Sequence, residues 1–387
     1  MEAAESPSTN GKRRRALSIV IFVFAVGMIG WGAWWWLYGR WSETTDDAYV
    51  GGNVVQVTPQ AAGTVVAVRA DDTDFVKAGD ELVRLDRIDA KVALEQAEAQ
   101  LARTVRQVRG YYATDAQYAA AAAQRESDLA RAREDLARHE QAAASGAVSR
   151  EEIAHARDAI AAAEAALSAA REQRRANQAL TDGTDVAGHP DVKAAAAKVH
   201  EAFIAYARTV VPAPVAGFVA KRSVQVGQRV SAGTPLMAVV PLEQVWVDAN
   251  FKEGQLADVR VGQPATVVAD LYGGRVTYHG KVAGFGAGTG AAFALLPPQN
   301  ATGNWIKVVQ RVPVRIQLDR AELASHPLQV GLSLRVDVDT HDRSGPRLPE
   351  GARPPVVQET AVFEMQERQA AERIAHIIQA NGGAPRG

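Results

Sequence analysis

Uncharged and largely apolar residues run without interruption from Ala16 to Gly39, directly after a polar stretch that ends in a basic cluster. At 1.5 Å per residue, such a run is long enough to cross the roughly 30 Å hydrocarbon core of a bilayer as one helix. The pattern therefore predicts a transmembrane helix at residues 16–39, preceded by a basic tail at residues 1–15.

Positive charge flanks this helix on one side, and aromatic rings crowd its other end. Basic residues favour the cytoplasmic side of a membrane, and tryptophan favours the interface. We therefore expect residues 42–387 to lie on the far side of the membrane. The predicted anchor and its aromatic belt consist of Arg13, Arg14, Arg15, Trp31, Trp34, Trp35, Trp36 and Trp41.

A cleaved signal peptide is the alternative interpretation of the same apolar run. It needs a shorter apolar core and a cleavage site of the small-x-small type. The bulky segment at residues 34–37 offers no such site. The sequence therefore favours an uncleaved, single-pass anchor.

Short alternating apolar runs form a second pattern, and this pattern occurs twice. Residues 59–85 and 213–239 align without a gap, each with an Ala-Gly turn and a later Val-x-Ala-Gly turn. Glycine suits tight strand reversals because a positive φ costs it little. One half cannot bury its apolar face alone, so the two halves are predicted to form a small β-sandwich. The turn glycines are Gly63, Gly79, Gly217 and Gly233.

The two halves resemble those of lipoyl and biotinyl carrier domains, which are joined by a tight hairpin carrying a modified lysine. Here residues 86–210 replace that hairpin, so no acceptor lysine lies at a tip. The resemblance implies a split lipoyl-like joint made of residues 59–85 and 211–241. It disfavours a carrier enzyme.

The insertion at residues 86–210 is rich in Ala, Glu, Gln and Arg and repeats its apolar residues at heptad spacing. This spacing predicts an antiparallel α-helical coiled-coil hairpin. Ser149 and Glu152 form a capping-box pattern after a Ser-Gly break, which places the tip at residues 142–149. The seam residues are Leu94, Leu101, Val105, Val108, Tyr112, Leu129 and Leu136 on the first arm, and Ile153, Ile160 and Leu167 on the second.

Polar residues interrupt both arms of this hairpin. Residues 181–190 break the second arm, and we expect a loop there with His189 exposed to solvent. Because charges also fall on the first seam, we expect a slender hairpin of modest stability. These charges are Glu98, Asp115, Glu126 and Arg133.

Residues 242–340 consist of short alternating runs between turn signals, which is typical of a small antiparallel β-barrel. A leading strand within residues 45–58 is expected to complete the barrel. Residues 341–387 are predicted to be flexible, apart from a helix at residues 359–380 whose packing the sequence does not predict. The expected fold class is multidomain α+β: a single N-terminal transmembrane helix, a split lipoyl-like β-sandwich, a long antiparallel coiled-coil hairpin and a small β-barrel.

Composition removes several classes of function. Lys and Arg number 43 against 44 Asp and Glu, which gives no electrostatic argument for nucleic acid. There is no cysteine, so disulfides and thiolate metal sites are excluded. The eight histidines are scattered, and the glycine-rich run at residues 284–290 lacks the Gly-Lys-Ser/Thr of a phosphate loop. We therefore expect no enzyme, no cofactor and no metal site.

Two long and unusual segments are Trp-Val-Asp-Ala-Asn-Phe-Lys at residues 246–252 and Leu-Pro-Pro-Gln-Asn-Ala-Thr-Gly-Asn-Trp-Ile-Lys at residues 296–307. Together with residues 45–50, 74–77 and 235–241, they resemble the HlyD-type membrane fusion proteins, and specifically their EmrA type. The resemblance covers about residues 12–342.

This resemblance implies a periplasmic adaptor of a tripartite efflux pump for hydrophobic drugs. An inner-membrane transporter of the major facilitator class would lie below it and a TolC-like outer-membrane channel above it. Because the predicted tip has few apolar anchors, several copies should engage one channel, so we expect a homo-oligomer. An adaptor of an ABC-driven type I secretion system shares the architecture and is the alternative.

In related adaptors an Arg, a Leu four residues later and a Ser seven residues further on dock the hairpin tip to the channel. The corresponding residues here are Arg138, Ala142 and Ser149, with Gly146 in the turn between them. Ala142 departs from the family pattern. The resemblance therefore implies channel docking at this tip, with Arg138, Ala142, Gly146 and Ser149 as the expected residues. The alternative is that Arg138 is an ordinary solvated charge of the coiled coil.

Overall fold

The computed structural model describes residues 10–37, 39–144, 146–290, 292–293, 309–348 and 359–383. Two β modules and a long helical hairpin follow an N-terminal helix, so the predicted multidomain α+β fold is confirmed. Residues 296–307, which carry part of the family resemblance, and residues 349–358 of the tail fall outside the described residues. The helices are α1 Asn10–Leu37, α2 Ile88–Ala143, α3 Arg150–Gln178, α4 Pro190–Ala207, α5 Arg320–Ser325 and α6 Val362–Gly382.

The strands belong to one closed barrel and to two facing sheets. In chain order they are β1 Ser42–Gly51, β2 Val55–Val57, β3 Gly63–Val68, β4 Phe75–Val76, β5 Glu81–Leu85, β6 Val210–Pro212, β7 Gly217–Ala220, β8 Arg229–Val230, β9 Met237–Val240, β10 Trp246–Lys252, β11 Pro264–Ala269, β12 Thr277–Phe285, β13 Arg311–Leu318 and β14 Ser333–Asp339.

The barrel closes in the order β1-β10-β13-β12-β11-β14, with antiparallel neighbours throughout. Its strands alternate inward and outward as a pleated strand must. On β10, for example, Val247, Ala249 and Phe251 are fully buried while the residues between them are not. The segments of alternating apolar and polar residues therefore form the strands of the barrel, and their apolar side chains point into its core.

Residues 45–58 were expected to form one leading strand that completes the barrel, and this expectation is wrong for residues 55–57. β1 ends at Gly51 in the barrel, whereas β2 pairs with β9 in the sandwich. Val50 is buried in the barrel core and Val57 in the sandwich core. The apolar residues of this segment are therefore divided between the cores of the two β modules.

The sandwich consists of the sheets β2-β9-β7-β4 and β6-β5-β3-β8. The two sequence halves interleave, because β4 of the first half pairs with β7 of the second, and β3 pairs with β8. Their shared core includes Leu82, Leu85, Leu236 and Val239, all buried to within 1%. Neither half has a complete sheet of its own, which explains why a helical insertion between them is tolerated.

The hairpin has one continuous arm and one divided arm. α2 runs unbroken for 56 residues, which corresponds to about 84 Å. The returning chain forms α3 over 29 residues and then α4 over 18. α2 packs against α3 in its distal part and against α4 near the sandwich.

α6 is the helix whose packing the sequence did not predict. It packs against both α2 and α4. Its apolar face, with Ile374, Ile377 and Ile378, joins the core that contains Leu101 and Val199. Among the described residues, three helices therefore form a bundle at the hairpin base, while two form its distal part.

Candidate functional site

The distal end of the hairpin is a capped turn between α2 and α3. α2 ends at Ala143, and Gly146 reverses the chain with a φ of +78°. Glu152 N donates to Ser149 Oγ at 3.1 Å, and Ser149 N donates to Glu152 Oε2 at 2.7 Å. This capping box satisfies two N–H groups that a helix start leaves unpaired. The backbone hydrogen bond from Ser149 holds the pKa of the Glu152 carboxyl below its usual value.

The surface of this tip is small and polar. Arg138 lies one helical turn before Ala142, is exposed, and forms an ion pair with Asp135 of its own helix. Ala142, Ala143 and Val148 are half-buried. The expected docking residues Ala142, Gly146 and Ser149 are therefore gathered at the turn, and Arg138 flanks it on α2.

Charged residues join the two arms at intervals of seven along each helix. The sign of the charge alternates from one level to the next, so an acid on α2 is followed by a base. We call this set the ion-pair ladder. It consists of Glu126–Arg171 at 3.3 Å, Arg133–Glu164 at 2.7 Å and Glu140–Arg157 at 3.1 Å.

The ladder was missed at the sequence level, where Glu126 and Arg133 were interpreted as interruptions of the seam. The detectable signal was the heptad spacing of charges with complementary signs on both arms. Closer to the base, Asp115 approaches Arg174 at 3.5 Å, and Glu98 pairs with Arg373 of α6. Each charge that interrupts the first seam therefore faces an opposite charge on another helix.

His189 closes the loop between α3 and α4, and the expectation that it is solvent-exposed is wrong. Its residue is only 6% exposed. It is the N-cap of α4, because Nδ1 accepts from Asp191 N at 3.2 Å, while Nε2 lies 2.9 Å from Leu180 O. Tyr112 Oη donates to Thr184 O at 2.6 Å. The loop is thus a folded joint in the divided arm.

The four sandwich glycines fall into two physical classes. Gly79 and Gly233 occupy turns with φ of +91° and +82°, in open space. Gly63 and Gly217 instead begin strands β3 and β7 without a positive φ. A Cβ on Gly217 would lie 2.6 Å from Val240 O. Turn geometry therefore requires glycine at the first two positions, and close packing requires it at Gly217.

The anchor meets the barrel directly. Residues 16–41 are long and apolar enough to be a candidate membrane span, and the side chains described there are not buried. Trp41 follows α1 in a short turn and stacks on His341, with ring centroids 5.1 Å apart. Thr340 N donates to Trp41 O at 2.8 Å. Arg13, Arg14 and Arg15 lie in the first turns of α1, and Trp31, Trp34, Trp35 and Trp36 lie exposed near its end.

Within the described ranges, ionisable side chains do not gather into a metal centre. No group of three or more His, Asp or Glu residues there is placed to hold a metal ion. Burial raises the pKa of Tyr278 to about 12, and its hydroxyl donates to His326 O at 3.0 Å. His279 is paired with Glu322 at 2.7 Å. These groups act as structural pairs in the barrel.

Known proteins match both the hairpin and the whole chain. The family model of the EmrA alpha-helical hairpin domain matches residues 88–209. The multidrug export protein EmrA of Escherichia coli (strain K12) is 45% identical over 374 residues, covering 97% of this chain and 96% of that protein. The fatty acid resistance protein FarA of Neisseria gonorrhoeae is 51% identical over 340 residues, covering 88% and 86%. A solved structure of the periplasmic adaptor protein EmrA aligns with a TM-score of 0.40 and 19% identity, covering 78% of this chain and 99% of that chain.

The sequence identity extends far beyond the hairpin. The alignment with the Escherichia coli protein leaves only 3% of this chain outside it. It therefore includes most of the sandwich, the hairpin and the barrel described above. The chain therefore belongs to the EmrA-type membrane fusion proteins.

Proposed function

We propose that this chain is the periplasmic adaptor of a tripartite efflux pump for hydrophobic drugs. Its partners would be an inner-membrane transporter of the major facilitator class and a TolC-like outer-membrane channel. The names of two relatives, a multidrug export protein and a fatty acid resistance protein, support an export role. We propose no catalytic step for this chain, because an adaptor acts by joining its partners.

The observation that carries this proposal is the pairing of a membrane anchor with a long, capped hairpin. Helix α1 is long and apolar enough to cross a membrane, and α2 extends over about 84 Å. In its distal part, no third helix of the described residues packs on the hairpin, and few apolar residues are buried there, among them Leu129 and Leu167. An arm built this way suits contact with a partner at its far end.

Binding at a single tip should be weak, because the tip offers mainly Ala142, Ala143 and Val148 as apolar contacts. Several tips bound to one channel would each raise the effective concentration of the next. The proposal therefore includes a homo-oligomer. The docking surface consists of Arg138, Ala142, Gly146 and Ser149.

Cross-linking in cells tests the proposed contact at the tip. The chain has no cysteine, so a single Ser149→Cys substitution carries the only thiol for a thiol-specific, photoactivatable cross-linker. We expect a cross-linked species that contains the outer-membrane channel. Ser127→Cys is the matched control, because Ser127 is an exposed serine partway along α2. Cross-links from Ser149 to the inner-membrane transporter alone would contradict the proposed orientation.

Reporter fusions test the proposed location. We propose that the N-terminus is cytoplasmic, that α1 crosses the inner membrane once, and that residues 42–387 are periplasmic. A phosphatase that is active only in the periplasm should be active when fused after Gly387, and the fusion should fractionate with the inner membrane. An intact, membrane-inserted but inactive fusion would contradict this topology.

A further inference from the structure

α6 lies in the groove between the two helices of the hairpin base. Ala370 is fully buried, and Ile374, Ile377 and Ile378 pack onto the core formed by α2 and α4. The opposite face of α6 carries exposed polar residues such as Glu372. The helix is thus amphipathic, and its apolar face is the one that packs against α2 and α4.

The third helix changes how much apolar surface the hairpin can bury. At the base, Leu101, Val105, Val192 and Val199 are all fully buried. Two helices alone leave the flanks of their seam in contact with water, whereas three enclose a core. The tight core of the base therefore depends on α6.

Three polar contacts attach α6 along its length. Near its start, Glu367 Oε1 lies 3.0 Å from His200 Nε2 on α4. In its middle, Arg373 forms a two-pronged ion pair with Glu98 on α2. At its end, Arg106 Nη1 donates to Asn381 Oδ1 at 2.6 Å. Contacts at three levels define one position for the helix in the groove.

The first turns of α6 also lie beside the sandwich. Phe363 and Gln366 line a cavity of about 270 Å³ together with the edge strands β2 and β6. The same cavity is lined by Arg208, which caps the end of α4. α6 therefore borders both the hairpin base and the sandwich, at the place where one joins the other.

We propose that α6 is an intramolecular strap that holds the hairpin base rigid against the lipoyl-like sandwich. The strap matters because a small rotation at the hairpin base causes a large displacement at the distant tip. A tilt of about 10° at the base would move a tip about 84 Å away by about 15 Å. Undocking α6 would therefore spread the tips of neighbouring copies. The effect on the pump rests on the proposed function, but the rigidity of the base does not.

Hydrogen exchange on the purified full-length chain tests the strap. Ala370→Glu places a carboxylate in the buried interface, and Ala371→Glu places it one residue away on the exposed face. We expect Ala370→Glu to speed amide exchange in residues 94–112 and 192–206 on the order of tenfold. Exchange in the ladder and the barrel should stay unchanged, and Ala371→Glu should behave as the wild type. Unchanged exchange at the base in a chain whose α6 has undocked would overturn the proposal.

A second pair of variants covers the case in which Ala370→Glu unfolds the chain. Arg373→Glu sets two carboxylates against each other, and the exchanged pair Glu98→Arg with Arg373→Glu restores the attraction. The rate of amide exchange at the base should rise in Arg373→Glu and return to the wild-type rate in the double variant. Failure of the double variant to recover would overturn the specific pairing.

Glu98→Cys combined with Arg373→Cys tests whether the strap acts within one copy. No other cysteine is present, so a bifunctional thiol cross-linker that spans the length of the former ion pair should link the two positions within one chain, which gives a monomer-sized band with no thiol left for labelling. A cross-linked dimer would overturn the intramolecular strap in favour of an exchanged helix.

Cross-linking at Ser149 separates this proposal from the proposed function. If wild-type tips cross-link to the channel and Ala370→Glu tips do so less, the strap supports docking. If wild-type tips give no channel cross-link while base exchange still depends on Ala370, the docking function fails and the strap stands.

Discussion

Arg133 on α2 and Glu164 on α3 face each other across the hairpin, with 2.7 Å between Nη2 and Oε1. Seven residues along each arm in either direction, the charges are reversed. If α3 slipped by one heptad, Glu126 would face Glu164 and Arg133 would face Arg157. The ladder therefore stabilises one register and penalises the neighbouring one. An arm with an alanine-rich seam needs such a device.

We predict that Arg133→Glu weakens the hairpin and that adding Glu164→Arg restores it. Because both side chains are more than half exposed, the interaction should be worth less than about 1 kcal/mol. A double-mutant cycle by urea unfolding of the full chain measures this coupling. A coupling of zero at low salt would show that the ladder does not contribute to stability.

The sandwich glycines should differ in their sensitivity to a methyl group. Gly217→Ala should be the most damaging, by about 1–3 kcal/mol, since its Cβ would collide with Val240 O and push β7 from β9. Gly79→Ala should cost about 1–2 kcal/mol through its positive φ alone. Gly254→Ala, in open space without a positive φ, is the control and should stay within about 0.5 kcal/mol. Equal unfolding midpoints for all three would contradict this assignment.

Acid should weaken the cap of α3. The pKa of Glu152 is lowered in the folded chain, so its contribution is full above the ordinary value of 4.5 and is lost as pH falls through the lowered pKa. Glu152→Gln keeps the shape without the charge. The wild type should therefore be more stable than this variant above pH 4.5, and this advantage should shrink as the pH falls further below 4.5. A pH-independent difference in thermal midpoint between the two chains would count against a charged cap.

His189→Ala should destabilise the hairpin base by about 1–3 kcal/mol, because it removes the cap of α4 and the partner of Leu180 O. His189→Asn should lose less, since asparagine is a good N-cap. Chemical denaturation of the two variants gives the comparison. Wild-type stability in His189→Ala would mean that the folded joint does not depend on this side chain.

Local patterns were sufficient for the parts of this protein that depend on neighbours in sequence. Helix α1 follows from an uninterrupted apolar run, and the cap of α3 follows from Ser149 and Glu152, three residues apart. The heptads of residues 94–112 likewise indicate a helix with one buried face. Helix hydrogen bonds and caps link residues only a few positions apart, so the chain itself carries these signals.

Only the tertiary structure decided which distant surfaces meet. β2 joined the sandwich rather than the barrel because its partner β9 lies there, and strand pairing depends on residues far away in the chain. His189 is buried because the loop of the divided arm folds against α2, where the ring centroids of His189 and Tyr111 lie 6.3 Å apart. Glu98 pairs with Arg373, on a helix at the other end of the sequence. Burial and charge pairing depend on which distant segments of the chain pack together. The position of α6 in the groove between α2 and α4 depends on such packing, so the local sequence of α6 does not specify it.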